Sequence, residues 1–206
     1  MTEPGSSVAR GAVLQTREHI VLIDNRQRRY LVELKEDGEF HSHAGMVSHN
    51  EIIGSLEGSE FRTGSNARFV ALRPTLSDHV LKMPRGAQVI YPKDLGPILI
   101  LADIFPGSRV FESGVGSGAL STALLRAGAV VTGYEIREDF AAKAQSNVEM
   151  FLGAGALDRY EIKIRDAYEP HEDAEFDRAV LDLSEPWQVV PYLENSLRRG
   201  GILVVY

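Results

Sequence analysis

The 206-residue chain contains no cysteine. This excludes disulfides, a thiolate-held metal and a cysteine nucleophile, and a cytoplasmic location is the default expectation. Long hydrophobic runs are also missing. The longest, around Ile98 to Ile104, is broken by Asp103 and falls short of a membrane span, so no membrane partner is expected. Met1 to Ser7 is polar and lacks the apolar core of a signal peptide. Positive charge is in deficit: 22 Lys and Arg against 29 Asp and Glu leave a net charge of −7. That balance argues against non-specific coating of nucleic acid, while a local basic patch stays open. Internal repeats and low-complexity segments are absent. What remains is ordinary for a folded domain, with 44% hydrophobic and 25% charged residues.

Two textures divide the chain. From about Gly11 to Phe69 the pattern is one of short β-rich runs: Ala12-Val13-Leu14, Ile20 to Ile23, Tyr30 to Leu34, Ile52-Ile53-Gly54 and Glu60-Phe61-Arg62. Asp24-Asn25 and Glu36 to Glu39 supply turn chemistry between them. Residues 1–70 therefore read as a small all-β, barrel-like domain. A loop region with Pro74, Pro84, Gly86 and Pro92 follows. Beyond it, within 71–206, helices and strands alternate. Helices are expected at Lys93 to Ile104, Ala119 to Ala127, Asp139 to Leu152 and Pro186 to Leu197. Strands are expected at Arg109 to Phe111, Val130 to Tyr134, Tyr160 to Ile164, within Phe176 to Leu183, and at Ile202 to Tyr206. This alternation predicts an α/β fold with a doubly wound, Rossmann-like parallel sheet. The sequence stops inside its final apolar strand, which is expected to be covered by further chain or by a partner.

Phe111-Glu112-Ser113-Gly114-Val115-Gly116-Ser117-Gly118-Ala119 is the chemical centre of the sequence. Alternate glycines let the main chain turn tightly and approach a ligand, and the ligand of such a loop is usually a nucleotide. The spacing fits a dinucleotide as well as S-adenosyl-L-methionine. Glu112 favours the second, because a carboxylate suits a sulfonium and an ammonium better than a pyrophosphate. Carboxylates are expected at four successive strand ends: Glu112, Glu135, Asp166 and Asp182. Glu135 is placed for ribose hydroxyls and Asp166 for an adenine amino group, although Asp166 also reads as a turn residue. In Asp182-Leu183-Ser184-Glu185-Pro186-Trp187, helix capping would account for Ser184, and Asp182 is assigned a substrate contact.

Gln88-Val89-Ile90-Tyr91-Pro92-Lys93-Asp94, the glycine loop, Tyr134-Glu135 and the Asp182 to Trp187 stretch together resemble the tRNA (adenine-58-N1)-methyltransferase family. The resemblance runs from about residue 10 to the end and includes His43-Ala44-Gly45 and His49-Asn50. It implies a class I methyltransferase fold, S-adenosyl-L-methionine as cofactor, tRNA as partner and a homotetramer. It also implies methylation of N1 of adenine 58, or 57, in the T-loop. By resemblance, Gly114, Gly116 and Gly118 belong to the cofactor loop and Glu135 is the ribose acid; Gln88, Glu112, Ser117, Ala119, Asp166 and Asp182 complete the candidate cofactor-side residues. Asp182 is the catalytic aspartate, and Tyr91 and Tyr206 are the active-site tyrosines. The family continues past the tyrosine matching Tyr206 with a further helix and the last two strands, absent here. Ser113 and Val115 are also unusual fillings of the glycine motif.

Arg26, Arg28 and Arg29, together with Arg62, Arg68, Arg73, Lys82 and Arg85, are candidates for a phosphate-contacting strip. His41, His43 and His49 lack a completing set of ligands, and no metal site is expected. The competing readings are a class I methyltransferase acting on another substrate, a truncated paralogue that binds cofactor or RNA without turnover, and a nicotinamide-dependent oxidoreductase, against which Glu112 argues.

Overall fold

A computed structural model describes residues 11–206; Met1 to Arg10, including the polar start of the chain, lie outside the described residues. The described chain divides into two compact units, 11–83 and 84–206.

The first unit is built from β1 (His19–Asp24), β2 (Arg29–Glu33), β3 (Glu39–Ser42), β4 (Gly45–Ser48), α1 (His49–Ile52), β5 (Glu60–Arg62), β6 (Arg68–Leu72) and α2 (Leu76–Lys82). An antiparallel sheet of order β2-β1-β6-β5 lies with a β3-β4 hairpin. Leu14, Ile20, Leu22, Leu34, Phe61 and Phe69 form its core. The β1–β2 turn forms because the Asp24 carboxylate accepts the main-chain N–H groups of Arg26 and Arg28 at 2.8 and 2.9 Å.

Three local expectations change. Ala12 to Leu14 contributes only a single bridge, Val13 to Leu56. Ile52 ends helix α1, capped by Ser48, instead of opening a strand. Within the expected loop region, Thr75 and Asp78 form a reciprocal capping box that starts α2. That helix packs against β2, and the first compact unit runs on to Met83 instead of ending near residue 70.

The second unit comprises α3 (Pro92–Leu101), β7 (Arg109–Ser113), α4 (Ala119–Arg126), β8 (Val130–Glu135), α5 (Glu138–Leu152), β9 (Tyr160–Ile164), β10 (Phe176–Leu181), α6 (Val190–Ser196) and β11 (Leu197–Val205). Five parallel strands run in the order β11-β10-β7-β8-β9. β10 is buried along its whole length, as a strand covered on both faces must be. Phe111, Tyr134, Phe176, Leu181, Val189 and Leu193 pack together on one face.

The expected helix Pro186 to Leu197 is split into a 3-10 turn, Pro186–Gln188, and the short α6, whose first turn holds Pro191. The last strand starts at Leu197 rather than Ile202. It reaches Ile202 through a break in register opposite Phe176 and Arg178, with Gly200 at φ +77°. Strand order reverses between β7 and β10. In doubly wound sheets the crevice outside the strand ends at that point is where ligands bind.

Candidate active site

At the switch point the chain leaves β7 and turns through Gly114, which has φ +85°. A Cβ there would stand 2.1 Å from the main-chain oxygen of Asp182. The neighbouring Asp182 N–H donates to the Ser113 carbonyl at 2.9 Å. Glycine loop and Asp182 backbone therefore cross in direct contact, a proximity only glycine permits.

Two further residues brace the loop. The Gly116 N–H donates to Glu135 Oε2 at 2.9 Å, while Glu135 Oε1 accepts the Arg137 N–H at 3.1 Å. Gly118, at φ +80°, precedes α4, and its Cα lies so close to Ala144 of α5 that a Cβ would meet it at 3.0–3.1 Å.

A crevice opens between this loop and the segment ahead of α3. Its lining is Gln88, Val89, Ile90, Gly114, Val115, Gly116, Ser117, Ala119, Leu120 and Asp182. Asp182 is the one ionisable residue among them, and burial holds its carboxyl above the ordinary carboxylate range. The lone carboxylate of this lining suits a sulfonium or ammonium better than a pyrophosphate. Of the residues singled out in the sequence, Gln88, Gly114, Gly116, Ser117, Ala119 and Asp182 meet here.

The others lie elsewhere. Asp166 accepts the Tyr168 N–H at 2.9 Å and makes a turn beyond β9. Tyr91 precedes α3 and is 41% exposed. Tyr206 donates its hydroxyl to Asp94 Oδ2 at 3.0 Å, and Lys93 holds that same oxygen at 2.8 Å. Asp94 thus anchors Tyr206, a role hidden in the Tyr-Pro-Lys-Asp element. Among the apolar lining residues, Val89, Ile90 and Val115 lay inside the quoted motifs without an assigned role, and Leu120 carried no distinguishing signal in the sequence. Trp187, the only tryptophan, is 63% exposed on the 3-10 turn after Asp182.

Glu112 departs from the expected position. It is 0% exposed and outside the crevice lining. Neither carboxyl oxygen has a hydrogen-bond partner of good geometry, although Ser121 of α4 lies near enough to offset a little of the penalty. Burial, with smaller contributions from the charges of Asp182 and Glu135, pushes its pKa from 4.5 to about 8. The folded state therefore holds a proton that the unfolded chain releases. This contribution to stability is complete below 4.5 and lost as pH rises through about 8. Glu112→Gln is expected to raise the thermal midpoint over wild type at about pH 9 and to change it much less at about pH 5. Parallel melting curves with the same gain at both pH values would contradict this.

A larger hollow of about 410 Å³ lies at the opposite ends of the strands, among Arg109, Val130, Arg159 and Tyr160, away from the switch point. In the first unit most arginines of the candidate strip already hold carboxylates. Arg28 pairs with Asp24, Arg29 with Asp78, Arg68 with Glu60, and Arg73 with Glu18 and Glu57. The three histidines diverge: His41 meets Glu39, His43 meets Arg28, and His49 accepts the Lys35 N–H.

Sheet order, switch-point crevice and glycine crossing define a doubly wound, Rossmann-like fold, the class that S-adenosyl-L-methionine-dependent methyltransferases share with dinucleotide-binding proteins. The family described as tRNA methyltransferase complex GCD14 subunit matches residues 68–206, and a TrmI-like N-terminal domain matches residues 13–60. The chain is 37% identical over 190 residues to the tRNA (adenine(58)-N(1))-methyltransferase TrmI of Thermus thermophilus, a match covering 91% of this chain and 74% of that protein. It is 33% identical to the Methanocaldococcus jannaschii TrmI, named for adenines 57 and 58, covering 90% of this chain and 74% of that one.

Among solved structures, a Thermotoga maritima protein titled a SAM-dependent O-methyltransferase superposes with TM-score 0.83 at 32% identity, covering 90% and 69% of the two chains. The Aquifex aeolicus tRNA (m1A58) methyltransferase TrmI superposes with TM-score 0.78 at 28% identity, covering 90% and 72%. The chain belongs to the tRNA (adenine-58-N1)-methyltransferase family.

Proposed function

We propose that the chain methylates N1 of adenine 58 in the T-loop of tRNA, using S-adenosyl-L-methionine. The observation that carries this reading is the half-buried Asp182, the lone charge of the crevice, held against the glycine loop by the Gly114 crossing. The cofactor supplies an electrophilic methyl group when bound. Gly114, Gly116 and Ala119 offer main chain for its close approach, and Glu135, which steadies the loop, provides a carboxylate for ribose hydroxyls.

N1 of adenine carries an in-plane lone pair, so no base is required to make it nucleophilic. The ring acquires positive charge as the new N–C bond forms. An anionic Asp182, accepting from the exocyclic amine, opposes that charge more strongly in the transition state than in the ground state. The Watson–Crick edge has to be free, so the adenosine leaves its stack. Tyr206, pinned by Asp94, and the exposed Tyr91 wall the base on this reading. The family resemblance supports a cytoplasmic homotetramer.

Incubation with labelled S-adenosyl-L-methionine and unmodified tRNA is expected to place label in RNA and a reverse-transcription stop at position 58. A stop at 57 as well would extend the site to the neighbouring adenosine. Label entering hydroxyl acceptors but not tRNA would favour the O-methyltransferase chemistry named for the Thermotoga protein.

A further inference from the structure

The crevice has a second wall whose fastening lies outside the glycine loop. Residues 84–90 run past the loop before α3 begins, and three of them, Gln88, Val89 and Ile90, line the crevice. The Ser117 hydroxyl faces this strap and accepts the main-chain N–H groups of Gly86 at 3.1 Å and Ala87 at 3.3 Å. Behind both stands Asn147 of α5, 1% exposed. Its side-chain amide donates to the Pro84 carbonyl and to the Ser117 carbonyl, each at 2.9 Å. One amide group thus ties strap and loop to the same helix.

Packing repeats the connection. A Cβ on Gly86 would stand 2.8 Å from the Phe140 ring, and that ring is covered by the Arg137 guanidinium at 3.8 Å. Ala87 is in van der Waals range of a Cβ built on Gly116.

We infer that Asn147 and Ser117 form a clip that holds residues 84–90 over the glycine loop and so sets the width of the crevice; Asn147 is a positioning residue for the cofactor. The inference rests on the crevice being the S-adenosyl-L-methionine site. Its chemistry is that of an amide with no other duty. Two donors on one rigid group fix two carbonyls at a set separation, and an aspartate in the same place would present negative charge to both. In the Ser117→Ala variant the Gly86 and Ala87 N–H groups lose their acceptor and the strap opens to solvent.

The test combines hydrogen exchange with titration calorimetry, using S-adenosylhomocysteine as probe, on wild type, Asn147→Ala and Ser117→Ala. Slow exchange of the Gly86 and Ala87 amides in the free protein is expected, with protection lost in Ser117→Ala. The probe's dissociation constant is expected to rise about tenfold in either variant. In turnover Asn147→Ala, which lies outside the crevice lining, raises the KM for S-adenosyl-L-methionine while kcat and the KM for tRNA stay near wild type. Ser117→Thr, which keeps the acceptor, restores protection and affinity. Variants that melt normally and bind the probe as wild type does would overturn the clip alone. Wild type that shows the protected amides but no affinity for the probe would overturn the cofactor assignment and leave the clip standing as structure.

Discussion

Asp182→Ala is expected to lower methylation of tRNA by about 10² to 10³, the usual effect of removing one pre-positioned group that answers charge developing in the transition state. Cofactor affinity is expected to fall as well, because the same carboxylate is the lone charge of the crevice, while the main-chain contact of residue 182 with the glycine loop survives the substitution. Asp182→Asn keeps an acceptor for the exocyclic amine and loses the charge, so its rate is expected between the two. Burial raises the Asp182 pKa, so the carboxylate is protonated at a higher pH than an ordinary one. The wild-type rate is therefore expected to climb with pH along an acid limb displaced above the usual carboxylate range, a limb that Asp182→Asn should lack. Single-turnover rates across pH, with RNA and cofactor saturating, measure both effects. A near-normal rate in Asp182→Ala would remove this residue from the chemistry.

The second large effect is expected at Gly114. In Gly114→Ala the new methyl would lie 2.1 Å from the Asp182 carbonyl oxygen, main chain against main chain, at a φ of +85°. No side-chain movement relieves that clash, so the β7 and β10 ends must part. Left-handed backbone for a non-glycine residue adds about 1–2 kcal/mol to an overpacking cost of about 1–3 kcal/mol. A loss of about 3 kcal/mol in stability is expected, with cofactor binding and turnover abolished together. Chemical denaturation and calorimetry would measure it. Gly116→Ala is the informative companion, since a Cβ there meets only ordinary contacts, the Ala87 methyl at 3.6 Å and the Gly114 carbonyl oxygen at 3.9 Å, at a φ of +55°. It should fold well and lose less. Equal damage from both substitutions would mean that the Gly114–Asp182 crossing is not what makes the loop sensitive.

Much of this arrangement was legible in the sequence, for identifiable reasons. β10 stands out as a run buried throughout because a central parallel strand is covered on both faces, whereas the edge strand β9 shows as an alternation of polar and apolar residues, and the alternate glycines mark where main chain approaches main chain. The family motifs then tied Asp182 to the glycine loop before any geometry was available. The orientation of Glu112 was not legible. In a strand buried on both sides, a period of two carries no hydrophobic contrast to say which way a side chain points. Helix α2 escaped because it is short and flanked by Pro74 and Pro84, although Thr75 and Asp78 stood at capping-box spacing. Asn147 gave no signal at all: its partners are carbonyls 63 and 30 residues away, and nothing in an amphipathic helix marks one buried amide for that task.

The crevice is assembled from residues 88–90, 114–120 and 182, segments distant in the chain and brought together only when β10 docks beside β7. Contacts of such long range carry a loop-closure entropy that must be met before they contribute any stability, and they form late in folding. A nascent chain therefore has no cofactor site until residue 182 and the strand before it have emerged and the sheet has closed. The ligand that would most stabilise this protein can reward only a chain already folded, and it offers no help to one still being made.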